Sequence, residues 1–333
     1  GAVSALQTAA GNLVPAIGTT ALQKFSVFKA ALGDATIASA STAASAVAGT
    51  YSLEVTRLAK QHSIMTATGA ATPFSGTGST LPTGGKLTIG ISFDQPGVGT
   101  ATPAGESDGV TVGKDAKGFD VDTAGYVAKA LGVPAEAITW VKADPVDRER
   151  LIEEGKVDLV LSSYTITPER AKRVDFAGPY FVAHQDLLVR RNDEELTGPD
   201  RLKGRTLCAA QNTTSAQNVL NRYHGDVALV QPNTFSECVT RLVDGDIDAV
   251  TTDDIILAGF AALPANKGVL RVLNKGFSDE PYGIGLKKGS DKLAGQINQA
   301  LTNYIADGSW KASLERNVGP SGYKIPSPPT PGK

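Results

Sequence analysis

From Lys86 onward, short apolar runs alternate with amphipathic stretches. KLTIGIS reads as a strand. GFDVDTAGYVAKALGV reads as a helix entered through Asp120 or Asp122, burying Val121, Tyr126, Val127 and Ala130 and ended by Gly132. ITWVKA is a strand and DRERLIEEG a short helix; in VDLVLSS the residues Val157, Leu159, Val160 and Leu161 predict a strand buried on both faces. RTLCAA, SAQNVLNRY, SECVTRLVDGD, IDAVTT and DIILAGFAAL continue the alternation, which predicts an α/β fold with a parallel sheet. A last helix is expected over 291–307, and residues 324–333, with PSPPTPGK, are expected to form a disordered tail.

Residues 1–84 follow another pattern, rich in Ala, Ser and Thr and poor in charge. Leu22, Phe25, Phe28 and Ala31 recur at helical steps, and Tyr51, Leu53 and Val55 alternate as in a half-buried strand. TGAATPFSGTGSTLPTGG reads as a linker, so this segment is expected to be a separate module.

Composition narrows the function classes. A formal net charge of -2 gives no electrostatic reason to expect a nucleic-acid partner or an acidic membrane surface. No apolar run approaches the roughly 20 residues of a membrane span. The chain opens on Gly1 without a signal-like segment, as expected of a processed product whose export signal has gone. The 2 cysteines, Cys208 and Cys238, make either one disulfide or two thiols, and the disulfide suits an exported protein better. With 3 histidines, a metal cluster is not expected, nor is a cofactor.

The polar ends of the strands carry the candidate chemistry. GKVDLVLSSYT and GDIDAVTTDDI share one grammar: Gly, a charged residue, a β-branched residue, Asp, an apolar run, then polar side chains. In parallel sheets such carboxyl ends are where ligands bind. Thr167 as N-cap and Pro168 at the first helical position put Arg170 in the first turn of a helix, where its fork suits a carboxylate. Pairing of Arg170 with Asp175 or Glu169 at the surface is the plainer alternative. Thr165 adds a hydroxyl, and Ser163 could offer its carbonyl to an ammonium. Thr213, Thr214 and Ser215 open another helix, and capping explains one of the three. Asp253 and Asp254 end the second strand, as ammonium partner or as N-cap. Together these groups suit a ligand with a carboxylate and an ammonium, an amino acid.

Over residues 86–323 the motifs GKLTIGISFDQPG, GFDVD, GKVDLVLSSYTITPERAKRVDFAGPYF, TSAQNV, AVTTDDIILAG and EPYGIGLKKG resemble the family-3 extracellular solute-binding proteins of polar amino acid ABC importers, and most of all the glutamate-binding lipoproteins. The resemblance implies a two-lobe periplasmic-binding-protein type II fold with a hinge. Lobe one would comprise 85–187 and 282–323, lobe two 188–281, with LLVRR and PYGIGL as hinges. It carries the carboxylate site onto Arg170, Thr165, Thr213 and Thr214, the carbonyl onto Ser163, the ammonium site onto Asp253, and a disulfide onto Cys208 and Cys238. Gln95 is the expected pocket residue of SFDQPG, with Phe93 as core. Arg148 would either reach a side-chain carboxylate or lie on a solvated helix face. The loop TPAGESDGVTVGKDAKG is long for the family and is expected to decorate the rim.

The function so implied is extracellular capture of L-glutamate, or of glutamine, aspartate or asparagine, for the permease subunits of an ABC importer, by a cell-surface lipoprotein or periplasmic protein. Residues 1–84 resemble instead the N-terminal part of flagellar hook-associated cap proteins, on GTYSLEVTRLAKQ and FKAALGDATIASAST. That part would form a fused module with no role in ligand binding; filament assembly as the function would need the remainder of a cap protein. An enzyme on the same fold, of dehydratase or transglycosylase type, would need a general acid or base in the cleft. His62, His184 and His224 lie outside the strand-end motifs, and Asp254 or Glu280 lacks an obvious partner.

Overall fold

The computed structural model describes residues 85–332. The helix expected at 22–31, the strand at 51–55 and the linker before residue 85 lie outside the described residues.

The chain runs β1 (Leu87–Ile91), β2 (Asp94–Gln95), β3 (Gly99–Ser107), β4 (Val110–Lys117), α1 (Phe119–Ala130), β5 (Ile138–Lys142), α2 (Arg148–Glu153), β6 (Leu159–Leu161), α3 (Pro168–Ala171) and the long β7 (Asp175–Arg190). There follow β8 (Thr206–Cys208), α4 (Thr214–Tyr223), β9 (Ala228–Val230), α5 (Phe235–Asp244), β10 (Ala249–Asp253), α6 (Asp254–Ala262), β11 (Leu270–Val272), β12 (Asp279–Leu286), α7 (Asp291–Ala306) and α8 (Ser309–Asn317). The strand order β2-β3-β4-β5-β1-β6-β12-β7-β10-β8-β9, with β11 on β7, holds two half-sheets joined through β7.

In the first lobe β1 pairs in parallel with β5 and β6, Ile89 facing both Trp140 and Leu159. β12 then runs antiparallel to β6 and β7. In the second lobe β10 and β8 are parallel, β8 pairs in parallel with β9, and β10 and β11 run antiparallel to β7. The pairing of β7 changes partner between His184, opposite Asp279 of β12, and Gln185, opposite Asp253 of β10. LLVRR therefore begins inside the second half-sheet, past this change of partner. PYGIGL pairs with the first-lobe half of β7.

The strand β6 is buried on both faces, as its apolar run predicts: Leu159 and Leu161 join one cluster with Ile89, Phe181 and Tyr282, while Val160 joins another with Ile152 and Tyr164. The shared grammar of the two half-domains also has a structural cause. Asp158 accepts the Thr88 N–H at 2.7 Å and donates its own N–H to the Thr88 carbonyl at 2.8 Å. Asp248 brackets Thr206 in the same way, at 2.7 and 2.8 Å. Each aspartate thus satisfies the backbone of the neighbouring parallel strand and fixes its register.

Two local expectations differ, and the long loop takes regular form. α1 is entered at Gly118, not through Asp120 or Asp122; a Cβ at Gly118 would lie 2.2 Å from the Val98 carbonyl oxygen, and Asp120 is fully buried one residue into the helix. The long loop is a twisted hairpin turning at Asp108 and Gly109, both with positive φ, a turn that matches strand twist. Finally, the tail expected to be disordered runs along the first lobe. Ile325 packs against the core, and the Gly332 N–H donates to the Gly178 carbonyl at 2.7 Å.

Candidate functional site

The carboxyl ends of β6 and β10 meet the N-terminus of α4 across a narrow cleft. Its walls are Pro145, Arg148, Ser163, Thr165 and Arg170 from the first lobe, and Thr213, Thr214, Ser215, Phe235, Thr252 and Asp253 from the second. The lobes stand closed on a cavity of about 10 Å³, room for about one water molecule. Of the residues singled out from sequence, Arg148, Ser163, Thr165, Arg170, Thr213, Thr214 and Asp253 all reach this wall, and Gln95 does not. Gln95 is buried, its Oε1 without a hydrogen-bond partner. Phe93 is core, with its ring against Gly113.

Thr167 caps α3, its hydroxyl accepting the Arg170 N–H at 3.2 Å, and Pro168 starts the helix. Arg170 consequently points back along the chain. It donates to the Thr165 carbonyl at 2.8 Å, and its Nε lies 3.4 Å from the Glu149 carboxylate. Arg148 comes from the first turn of α2 and is buried, not solvated; it donates to the carbonyls of Ser162 at 3.0 Å and Ser163 at 3.3 Å, while its Nε–H has no partner. Both guanidinium groups lie over the Tyr164 ring, at 4.6 and 5.1 Å from its centroid. Burial, then the nearby Arg170 charge, lowers the Arg148 pKa to about 10.

Ser163 holds φ 42, the left-handed region that a serine seldom enters. Asp120 fixes it there: its carboxylate accepts the Ser163 N–H at 2.8 Å and the Tyr180 hydroxyl at 2.7 Å. Burial raises the Asp120 pKa to about 6 against the opposing pull of these bonds.

On the facing lobe, Thr213 is the N-cap of α4: its hydroxyl accepts the Ala216 N–H at 3.1 Å and donates to the Ala210 carbonyl at 2.6 Å. The Thr214 hydroxyl donates to buried Glu280 at 2.7 Å. Asp253 occupies the N-cap position of α6 without capping it, and its carboxylate accepts the Tyr282 hydroxyl at 2.5 Å. Burial and then the Glu280 charge raise its pKa well above the carboxylate range. The disulfide expected between Cys208 and Cys238 is present, tying the end of β8 to α5 and thus to Phe235 in the cleft wall.

Three residues that the sequence reading did not assign to the site support it: Glu149, Glu280 and Asn212. Asn212 lies in QNTTS beside the threonines, and Glu149 directly follows Arg148, so adjacency to chosen residues was the only available signal. Glu280 stands out in the sequence only as a general acid or base without a partner. Among the described residues, no group of three or more His, Cys, Asp or Glu side chains could hold a metal ion.

Two α/β lobes joined by long strands and closed on a cleft with two arginines on one wall and three threonines and Asp253 on the other define a binding protein of the type II periplasmic kind. The chain belongs to the bacterial extracellular solute-binding proteins, family 3, whose model matches residues 101–320. It is 37% identical over 245 residues, covering 71% of this chain and 79% of the relative, to the glutamate-binding protein GluB of Corynebacterium efficiens. It is 32% identical to the glutamine-binding protein GlnH of Bacillus subtilis, covering 68% and 78% of the two chains. A solved ancestral arginine-binding protein bound to glutamine superposes with a TM-score of 0.62 at 32% identity, covering 71% of this chain and 98% of that one. These relatives are named as binding proteins and not as enzymes. Residues 1–62 match the N-terminus of flagellar hook-associated protein 2, as their motifs suggested. No helix among the described residues is long and apolar enough to cross a membrane.

Proposed function

We propose that this protein captures a polar amino acid, L-glutamate, outside the membrane and hands it to the permease subunits of an ABC importer. In this reading Arg170 and Thr165 bind the α-carboxylate, together with N–H groups of the first turn of α4, because the Thr213 and Thr214 hydroxyls are already engaged. Asp253 and the Ser163 carbonyl take the ammonium. The observation that carries glutamate over an amide is the second guanidinium: Arg148 is buried, its Nε–H has no acceptor, and a ligand with one carboxylate needs only one arginine. The names of GluB and GlnH support an amino-acid ligand of this size. Aspartate, glutamine and asparagine share the backbone groups and are the alternatives. Lipid anchorage at the cell surface belongs to the same reading and rests on the likeness to glutamate-binding lipoproteins.

Titration calorimetry of ligand-stripped protein against the four amino acids tests it. Glutamate binding at micromolar Kd or tighter, about -8 kcal/mol, with weak glutamine binding is the expected result. Preference for glutamine would overturn the role of Arg148, and absence of heat with all four would overturn the ligand class. Arg170→Ala removes a charge-assisted pair at a cost of about 2–5 kcal/mol, so its Kd should rise roughly 30-fold to several thousand-fold. An unchanged Kd would sink the assignment.

A further inference from the structure

Asn212 stands at the edge of the second lobe, one residue before the N-cap of α4. Its φ of 58 turns its carbonyl away from the helix and across the cleft. There the carbonyl accepts from Arg148 Nη2 at 3.3 Å and from Arg170 Nη2 at 3.0 Å. Its side-chain amide donates to the Pro145 carbonyl at 2.9 Å and to Glu149 Oε2 at 3.3 Å. Every one of these partners is in the first lobe. Two other bonds between the lobes, the Ser236 N–H donating to Asp94 at 3.0 Å and the Tyr282 hydroxyl donating to Asp253 at 2.5 Å, touch neither arginine.

We infer that Asn212 is the residue that couples ligand capture to closure, a positioning residue for the binding proposed above and dependent on that reading. Its contacts to Arg148 and Arg170 form only when the lobes meet, on the same guanidinium groups that take the ligand's carboxylates. A ligand that orients these arginines also prepares the surface on which Asn212 docks. The residue type suits two demands at once. Asparagine tolerates the left-handed backbone better than most side chains, and its amide is a donor where the facing groups, Pro145 carbonyl and Glu149 carboxylate, are acceptors. Aspartate would keep the shape and set a carboxylate against Glu149.

Stopped-flow binding of glutamate to the full chain separates the rates. Asn212→Gly keeps the left-handed backbone and the carbonyl but loses the amide. It should raise the dissociation rate about tenfold, since two donated hydrogen bonds are lost, and leave the association rate near that of the wild type. Asn212→Asp should dissociate faster still, while both variants keep the wild-type thermal midpoint. Asn212→Gly with a wild-type dissociation rate would overturn the latch and leave the ligand assignment standing. A slower association with unchanged dissociation would overturn it too, since a latch acts after encounter. A wild-type protein that binds none of the four amino acids would overturn both.

Discussion

Asp120 is a buried carboxylate with a structural task, and its pKa of about 6 gives that task a pH signature. In the unfolded chain an aspartate titrates near about 3.9. Between these values the folded protein keeps a proton that the unfolded chain releases, so stability falls as pH rises through this window. Above it the full penalty applies, on the order of 2–3 kcal/mol for a shift of about two pH units. Asp120→Asn can still accept the Ser163 N–H and carries no charge. Relative to wild type it should therefore gain stability from pH 4 to pH 7, read from urea unfolding at both; a constant difference would contradict this. In the sequence Asp120 reads only as one of two possible caps. Capping chemistry is local, whereas its real partners lie 43 and 60 residues away and are invisible to spacing. Arg170 was legible for the opposite reason: Thr167 and Pro168 fix its direction within one turn.

Strands and helices were legible where their periodicity was strong. β6 and β10 carry their burial and their polar ends in contiguous residues, and the shared aspartates that bracket neighbouring strands made the two half-domains look alike. The point where β7 changes partner falls in the polar run His184-Gln185-Asp186 between two apolar stretches, but those residues do not say which strand pairs on either side. The proline-rich tail was misread because composition signals its lack of regular structure but not the core surface on which Ile325 rests. The disulfide joins β8 and α5 across a sequence separation of 30. Replacing both cysteines by serine should cost about 2–4 kcal/mol, measured as a lowered urea midpoint. An unaltered midpoint would mean that the packing around Phe235 and Cys238 suffices without the bond.

The closed lobes touch where Gly259 of α6 meets Pro96, the residue after β2, and leave no room for a side chain: a Cβ there would lie 1.9 Å from the Pro96 carbonyl oxygen. Gly259→Ala should act as a wedge. Small-angle scattering with saturating ligand should show a larger radius of gyration than wild type, with weaker affinity and an intact fold. Compaction equal to wild type would show that α6 can shift aside. Nothing in AGF announces this role, because the partner belongs to the other lobe and only the assembled structure brings them together.

The order of strands has one more consequence, for how the chain matures. β12 lies between β6 and β7 in the first lobe's sheet, yet it is the last strand in the chain. The second lobe has all of β8 to β11, and both cysteines, before β12 begins. A polypeptide emerging N-terminus first can therefore complete and oxidise its second lobe while the first still awaits its inner strand. The cleft, which needs both, is the final thing such a chain acquires.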